Sequence, residues 1–194
     1  MVFEEIKKTI YRDILEKLPP YLTYHNLAHT EYVMSKAIFL AGEAGVSEAD
    51  LLLLKLAALF HDTGFIVNPK DHEIRGCGIA RDYLGKDLND EDMKKICGMI
   101  MATKIPQSPT NQLEQILADA DLEYLGTDQF EIQGNALLKE LRHFNPDLSD
   151  QAWNEVQLTF LEKHHYHTEY CKKYREPIKQ MNIQSVREKL IITK

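Results

Sequence analysis

Histidines and carboxylates interrupt apolar patterns at four places in the chain. YHNLAHT carries His25 and His29 four residues apart, hence on neighbouring turns of one face wherever that stretch is helical. LAALFHDTGF sets His61 and Asp62 at the end of a leucine-rich run, ILADADLEYLG places Asp119 and Asp121 inside another apolar helical pattern, and DHEIRG brings His72, Glu73 and Arg75. An ionisable group on an apolar face is costly, or neutralises, unless it meets a partner. Three helices of one small bundle that each point such a group inward would be satisfied together by a divalent cation. Two imidazoles with carboxylates make a nitrogen and oxygen donor set that suits manganese, iron, cobalt, nickel, zinc or magnesium without selecting one. The carbonyls at the end of the leucine-rich helix carry partial negative charge beside His61 and Asp62, which also favours a cation.

The elements that must position these groups are helices. Apolar residues recur at three- and four-residue spacing almost throughout, and no segment alternates with period two between turn signals. The first helix is expected from Val2 to Leu18, stopped by Pro19 and Pro20. After the connector YLTYHN a second begins near Leu27 and ends around Gly42 to Gly45. Ser47, with Asp50 three residues on, caps the third, which ends at His-Asp-Thr-Gly with Gly64 as the left-handed residue. Further helices are expected at Asp71 to Leu84, Asp90 to Thr103, Asn111 to Leu125, Asp128 to Arg142, Ser149 to His167 and Thr168 to Gln180. The fold class is all-α: a multi-helix bundle of eight or nine helices without a sheet, in one domain over residues 1–194. Its motif-bearing core covers about 24–168, and the helices of 149–182 pack on it.

With 194 residues, 44% hydrophobic and 27% charged, the chain has the composition of a soluble globular domain. Its longest apolar run, LLLLKLAALF, is interrupted by Lys55 and is about half a membrane span, so no membrane partner is expected. The N-terminus lacks the order of a secretory signal, so a cytoplasmic protein is expected. The three cysteines form no CxxC pair and read as small buried hydrophobes. The formal net charge of −7 disfavours a broad nucleic-acid footprint. From Leu161 to Lys194 the balance is nonetheless positive, either a solvated helix face or positive potential for an anionic substrate. The oligomeric state is open, a homodimer included.

The ordered set His29, His61-Asp62 and a later aspartate resembles the signature of the HD-domain superfamily of metal-dependent phosphohydrolases. YHNLAHT, AALFHDTGF, the following HE, DADLEYLG and FLEKHHYHT are similar to a bacterial branch whose members occur alone or beside signalling domains; together they run from Tyr24 to Thr168. The resemblance implies that His29, His61 and Asp62 ligate one divalent metal ion, with His25 as a neighbour that orients them and borders the substrate. Its last ligand falls on Asp121 or on Asp119. Ala-Asp-Leu at 120–122 matches the form seen in related cyclic-nucleotide phosphodiesterases and favours Asp121. So does helical phase: with Leu113, Leu117, Ala120 and Tyr124 as the core-facing row, Asp121 lies about 100° from Ala120 and near that row, whereas Asp119 leans away. Two-metal versions of the fold need more histidines, and KKICGMIMATK has none, so one ion is expected.

The chemistry implied is hydrolysis of a small phosphorylated metabolite, such as a nucleotide, by metal-activated water in which Asp62 takes part. Arg75 and Lys104 are candidates for stabilising the charge on the phosphoryl group. His72 and Glu73 would hold the attacking water or protonate the leaving oxygen. Of His164, His165 and His167, at most one or two can face the pocket, and His165 is the expected one. Trp153, Met93, Met99 and Met101 read as core. Two other readings remain: a non-catalytic ligand-sensing or interaction module, and a di-iron oxygenase.

Overall fold

Short polar side chains start the helices. Asn26, Ser47, Asn89, Asn111, Ser149 and Thr168 each accept a hydrogen bond from a backbone N–H of the first turn that follows. The structure, a computed structural model, describes residues 3–192. Its helices are α1 Phe3–Asp13, α2 Leu27–Glu43, α3 Glu48–Phe60, α4 His72–Leu84, α5 Asp90–Ala102, α6 Gln112–Leu122, α7 Phe130–Phe144, α8 Asp150–Lys163, α9 Glu169–Tyr174 and α10 Glu176–Ile192. Short 3-10 turns follow α1, α3 and α6, at Leu15–Lys17, Thr63–Ile66 and Glu123–Gly126. The chain is all-helical, with no strand among the described residues. No helix among them is long and apolar enough to cross a membrane.

Helices α2, α3, α5 and α6 pack on one another, with α4 against α5 and the turn after α3. Leu54, Leu56, Leu59 and Phe60 of α3 have no exposed surface, each contributing roughly 1.5–3 kcal/mol by burial. With Val33, Ile96, Ile100, Ile116 and Leu117 they form the main core. A smaller second core joins Tyr24, Leu122 and Leu125 to Phe130, Leu161, Ile183 and Val186 of α7, α8 and α10. The three cysteines are free and buried.

The helix ends depart from expectation at four points. The expected start of the first helix, Val2, lies outside the described residues, and that helix stops at Asp13, before a 3-10 turn. The expected helix at 149–167 ends at Lys163, because the buried Asp119 carboxylate accepts the backbone N–H groups of His167 and Thr168 and keeps 164–167 out of the helix. The last expected helix divides at Arg175 and runs on to Ile192, which makes ten α-helices among the described residues rather than eight or nine. Gly64 is not left-handed; among the described residues positive φ occurs at Gly45 and Asp71. Gly64 is needed for space instead, since a Cβ there would lie 2.0 Å from the His72 carbonyl oxygen. Gly76 serves likewise on α4, where a Cβ would meet the Phe60 carbonyl at 2.9 Å. These two contacts press the start of α4 onto the end of α3.

Candidate metal centre

His61 ends α3, and its ring makes two kinds of contact. Nδ1 lies 2.8 Å from the Ala58 carbonyl oxygen, a bond that only an Nδ1–H can make, so Nε2 is the ring nitrogen turned inward. The helix-end carbonyls are thus already engaged, by His61 at Ala58 and by the Thr63 hydroxyl at Phe60. Inward of His61 lie Asp62 Oδ2 at 3.2 Å and Asp121 Oδ1 at 3.7 Å from Nε2. His29, in the first turn of α2, points Nε2 to within 3.0 Å of Asp121 Oδ1 and 3.5 Å of Asp62 Oδ2. Three ligand atoms, one each from His29, His61 and Asp121, lie within 4.8 Å of one another, the one such group among the described residues.

The donor chemistry fits a cation. His61 Nε2 and Asp62 Oδ2 are buried, and neither has a hydrogen-bond partner in the protein. They are close, yet not aligned as donor and acceptor. Leaving such a pair unsatisfied is costly, whereas a divalent ion would accept both lone pairs. The cluster could therefore hold a metal ion. Burial opposes charge on His61, but Asp62 and Asp121 outweigh it and hold its pKa well above the usual histidine range, a preference for positive charge at Nε2 that a cation would satisfy in the proton's place. Burial likewise opposes ionisation of the two carboxylates, but the imidazoles of His61 and His29 hold Asp62 and Asp121 below the usual range.

Two more histidines border the cluster. His72 opens α4, with Nδ1 3.0 Å from the Pro69 carbonyl and Nε2 3.5 Å from both Asp62 Oδ1 and Glu73 Oε1. The Phe65 ring lies between His72 and His25, its centroid 4.1 Å from each. His25 Nδ1 is 2.5 Å from Glu140 Oε1, and the other Glu140 oxygen accepts the backbone N–H of Tyr24 and His25. Burial would lower the pKa of His25, but this carboxylate raises it above the usual value, while Glu140 itself is held low despite its burial. Glu140 and Phe65 went unnoticed in the sequence. One trace existed: Glu140 is an acid inside the apolar row Leu137, Leu138 and Leu141 of α7.

The remaining expected site residues lie elsewhere. Asp119 does not lean away from the core but is fully buried, and its oxygens are occupied by the His167 N–H and by the N–H and hydroxyl of Thr168. Lys104 pairs with Asp71 at 3.0 Å on the surface. Arg75 is exposed, its Nε 3.4 Å from the Lys70 carbonyl. His165 is exposed and lines an outer groove, beside the buried His164. Asp71 precedes α4 without capping it, in a left-handed conformation.

The centre opens on a cavity of about 270 Å³ bordered by His25, Asp62, His72, Glu73 and Asp121 and walled by α7 and α8. A family model described as HD domain matches residues 26–123, half of the chain, and those residues include both imidazoles, both carboxylates and the His72-Glu73 pair. The chain belongs to the HD-domain superfamily of metal-dependent phosphohydrolases. The match ends just past α6, so Glu140 and the cavity walls on α7 and α8 come from helices beyond the matched residues. No curated protein and no solved structure matches the chain.

Proposed function

We propose that this HD-domain protein hydrolyses the phosphoester bond of a small phosphorylated metabolite, with one divalent ion held by His29, His61, Asp62 and Asp121. The observation that carries the reading is the pair of buried, unpartnered atoms, His61 Nε2 and Asp62 Oδ2, beside a second imidazole and a second carboxylate at the base of a cavity. When bound, such an ion supplies a water of lowered pKa and polarises a phosphoryl oxygen.

The chain's own groups supply the rest. His61 and His29 present nitrogen lone pairs from two helices, the first fixed by its bond to Ala58. His72, anchored at Nδ1 by Pro69, keeps Nε2 at the cavity rim between Asp62 and Glu73, where it can give a proton to the leaving oxygen. Glu73, buried beside it with Oε1 3.5 Å from Nε2, holds that imidazole in place. His25, raised in pKa by Glu140, brings positive charge to the rim; no lysine or arginine lines the cavity. In the reaction a water oxygen bonds to phosphorus, the P–O bond to the organic group breaks, and that oxygen leaves with a proton.

The test is metal analysis of the purified protein together with phosphate release from a panel of phosphorylated metabolites, wild type against Asp62→Ala. Near-stoichiometric metal and phosphate release, both lost in the variant, are expected. Tight binding of a metabolite without release would favour the sensing module, and oxygen uptake with two irons per chain the oxygenase.

A further inference from the structure

Away from the metal-ligand cluster the cavity changes character. Leu125, Phe130, Leu137, Leu141, Trp153 and Phe160 form most of the remaining wall. Few polar groups interrupt it. The Thr103 hydroxyl is used by the Ile100 carbonyl, and the buried phenols of Tyr24 and Tyr124 engage each other. Gln157 is the one side-chain amide in the lining. A nucleobase seated here would bury several donors and acceptors with almost nothing to meet them, and a second phosphate would bring charge to a wall without lysine or arginine. A hydrocarbon loses nothing in the same place. The space is ample: at ~30 Å³ for each water-sized unit, 270 Å³ is roughly nine such units. Ile105, Val156 and Phe160 also line the larger outer groove of about 780 Å³, so a chain longer than the chamber has an apolar way out.

We propose that the substrate is the phosphomonoester of an apolar alcohol, its single phosphate at the His29, His61, Asp62 and Asp121 cluster and its hydrocarbon part in the chamber between α7 and α8. The proposal rests on the hydrolase reading above and adds the substrate class to it. The single charged end meets His25 and His72, while selectivity comes from how well the organic part fills the chamber. Gly134 offers a way to change that volume, since a Cβ there would come 2.6 Å from Gln157 Nε2, the movable end of a flexible side chain. Val156, at the boundary of chamber and groove, is half exposed and accepts a polar replacement with little strain on the fold.

The experiment uses full-length protein loaded with manganese and a series of straight-chain alkyl phosphates from ethyl to octyl, alongside nucleoside monophosphates. Expected is a kcat/KM that rises about fourfold per methylene until the chamber is full, the effect of burying one CH₂ group. Gly134→Leu and Val156→Lys should each flatten that rise. Binding is read separately by quenching of Trp153, the only tryptophan, with non-hydrolysable alkylphosphonates of the same lengths. Phosphate release with no dependence on chain length, or faster release from nucleoside monophosphates than from octyl phosphate, overturns the proposal and leaves the hydrolase reading standing. Length-dependent binding of alkylphosphonates with no release from any ester supports an apolar chamber and overturns the hydrolase reading. Absence of both binding and release overturns the two together.

Discussion

Asp119→Ala and Asp121→Ala should separate a carboxylate that holds the fold from one that holds an ion, although the two stand two residues apart on α6. Asp119 is fully buried and accepts three hydrogen bonds, at 2.9 Å from the His167 N–H and at 2.8 and 2.6 Å from the N–H and hydroxyl of Thr168. Hydrogen bonds to a charged group are worth roughly 1.5–3 kcal/mol each. Their sum overstates the loss, because alanine also removes the cost of keeping a carboxylate out of water, and burial does push Asp119 above the usual carboxylate range. A net loss of about 3 kcal/mol is expected, chiefly from the two backbone N–H groups left without acceptors. For a chain of this length that lowers the melting temperature by roughly 6–12 °C. Circular-dichroism melts in chelator isolate the effect from metal binding, and metal content is measured after dialysis against manganese. Asp119→Ala should melt early and still take up manganese at low temperature, whereas Asp121→Ala should lose manganese. An Asp119→Ala protein that melts within about 2 °C of wild type and no longer binds manganese would refute the assignment.

Three further changes probe the supports of the site. Gly64→Ala puts a methyl group onto the His72 carbonyl and should cost roughly 1–3 kcal/mol; a urea titration measures the cost, and kcat should fall through displacement of His72. Glu140→Gln keeps the shape but removes the charge that holds His25 and the two N–H groups before α2, lowering stability by about 2 kcal/mol. The His25 pKa, followed by NMR, should drop at the same time. The third concerns pH: burial and the nearby Lys179 lower the pKa of His164 from 6.5 to about 3, so the unfolded chain takes up a proton that the folded one refuses. Stability from this group is complete above pH 6.5 and is lost as pH falls toward 3. Between pH 7.5 and 5 the loss should reach about 2 kcal/mol. Urea unfolding across that range checks it, with a flatter slope expected for His164→Gln.

Most of the helical scaffold could be read from local patterns because local forces decide it. Ser47 accepts the Asp50 N–H at 3.2 Å, as the spacing of the two implies, and the prolines, glycines and apolar periodicity marked most of the other limits. The failures have tertiary causes. The helix expected through His167 stops four residues early because a carboxylate 48 residues away captures its backbone, and His165 lost its expected orientation with it. Lys104 was expected at the site because it follows a helix that should pass nearby, but Asp71, 33 residues before it, pairs with it at the surface. Gly64 signalled a turn, whereas its function is to let α4 approach. Helical phase put Asp119 on the wrong side, since a helix packed on two fronts buries more than one row.

By itself the order of residues determined an all-helical chain carrying two histidines and two aspartates at the inward ends of apolar patterns. Periodicity is a property of neighbours along the chain, so it survives without a structure. Tertiary packing alone decided that Asp121 stands beside His29 and His61, that Glu140 arrives from α7 to hold His25, and that leucines and aromatics from α7 and α8 enclose the adjoining space. Those choices depend on how helices distant in sequence cross, and no local spacing encodes a crossing.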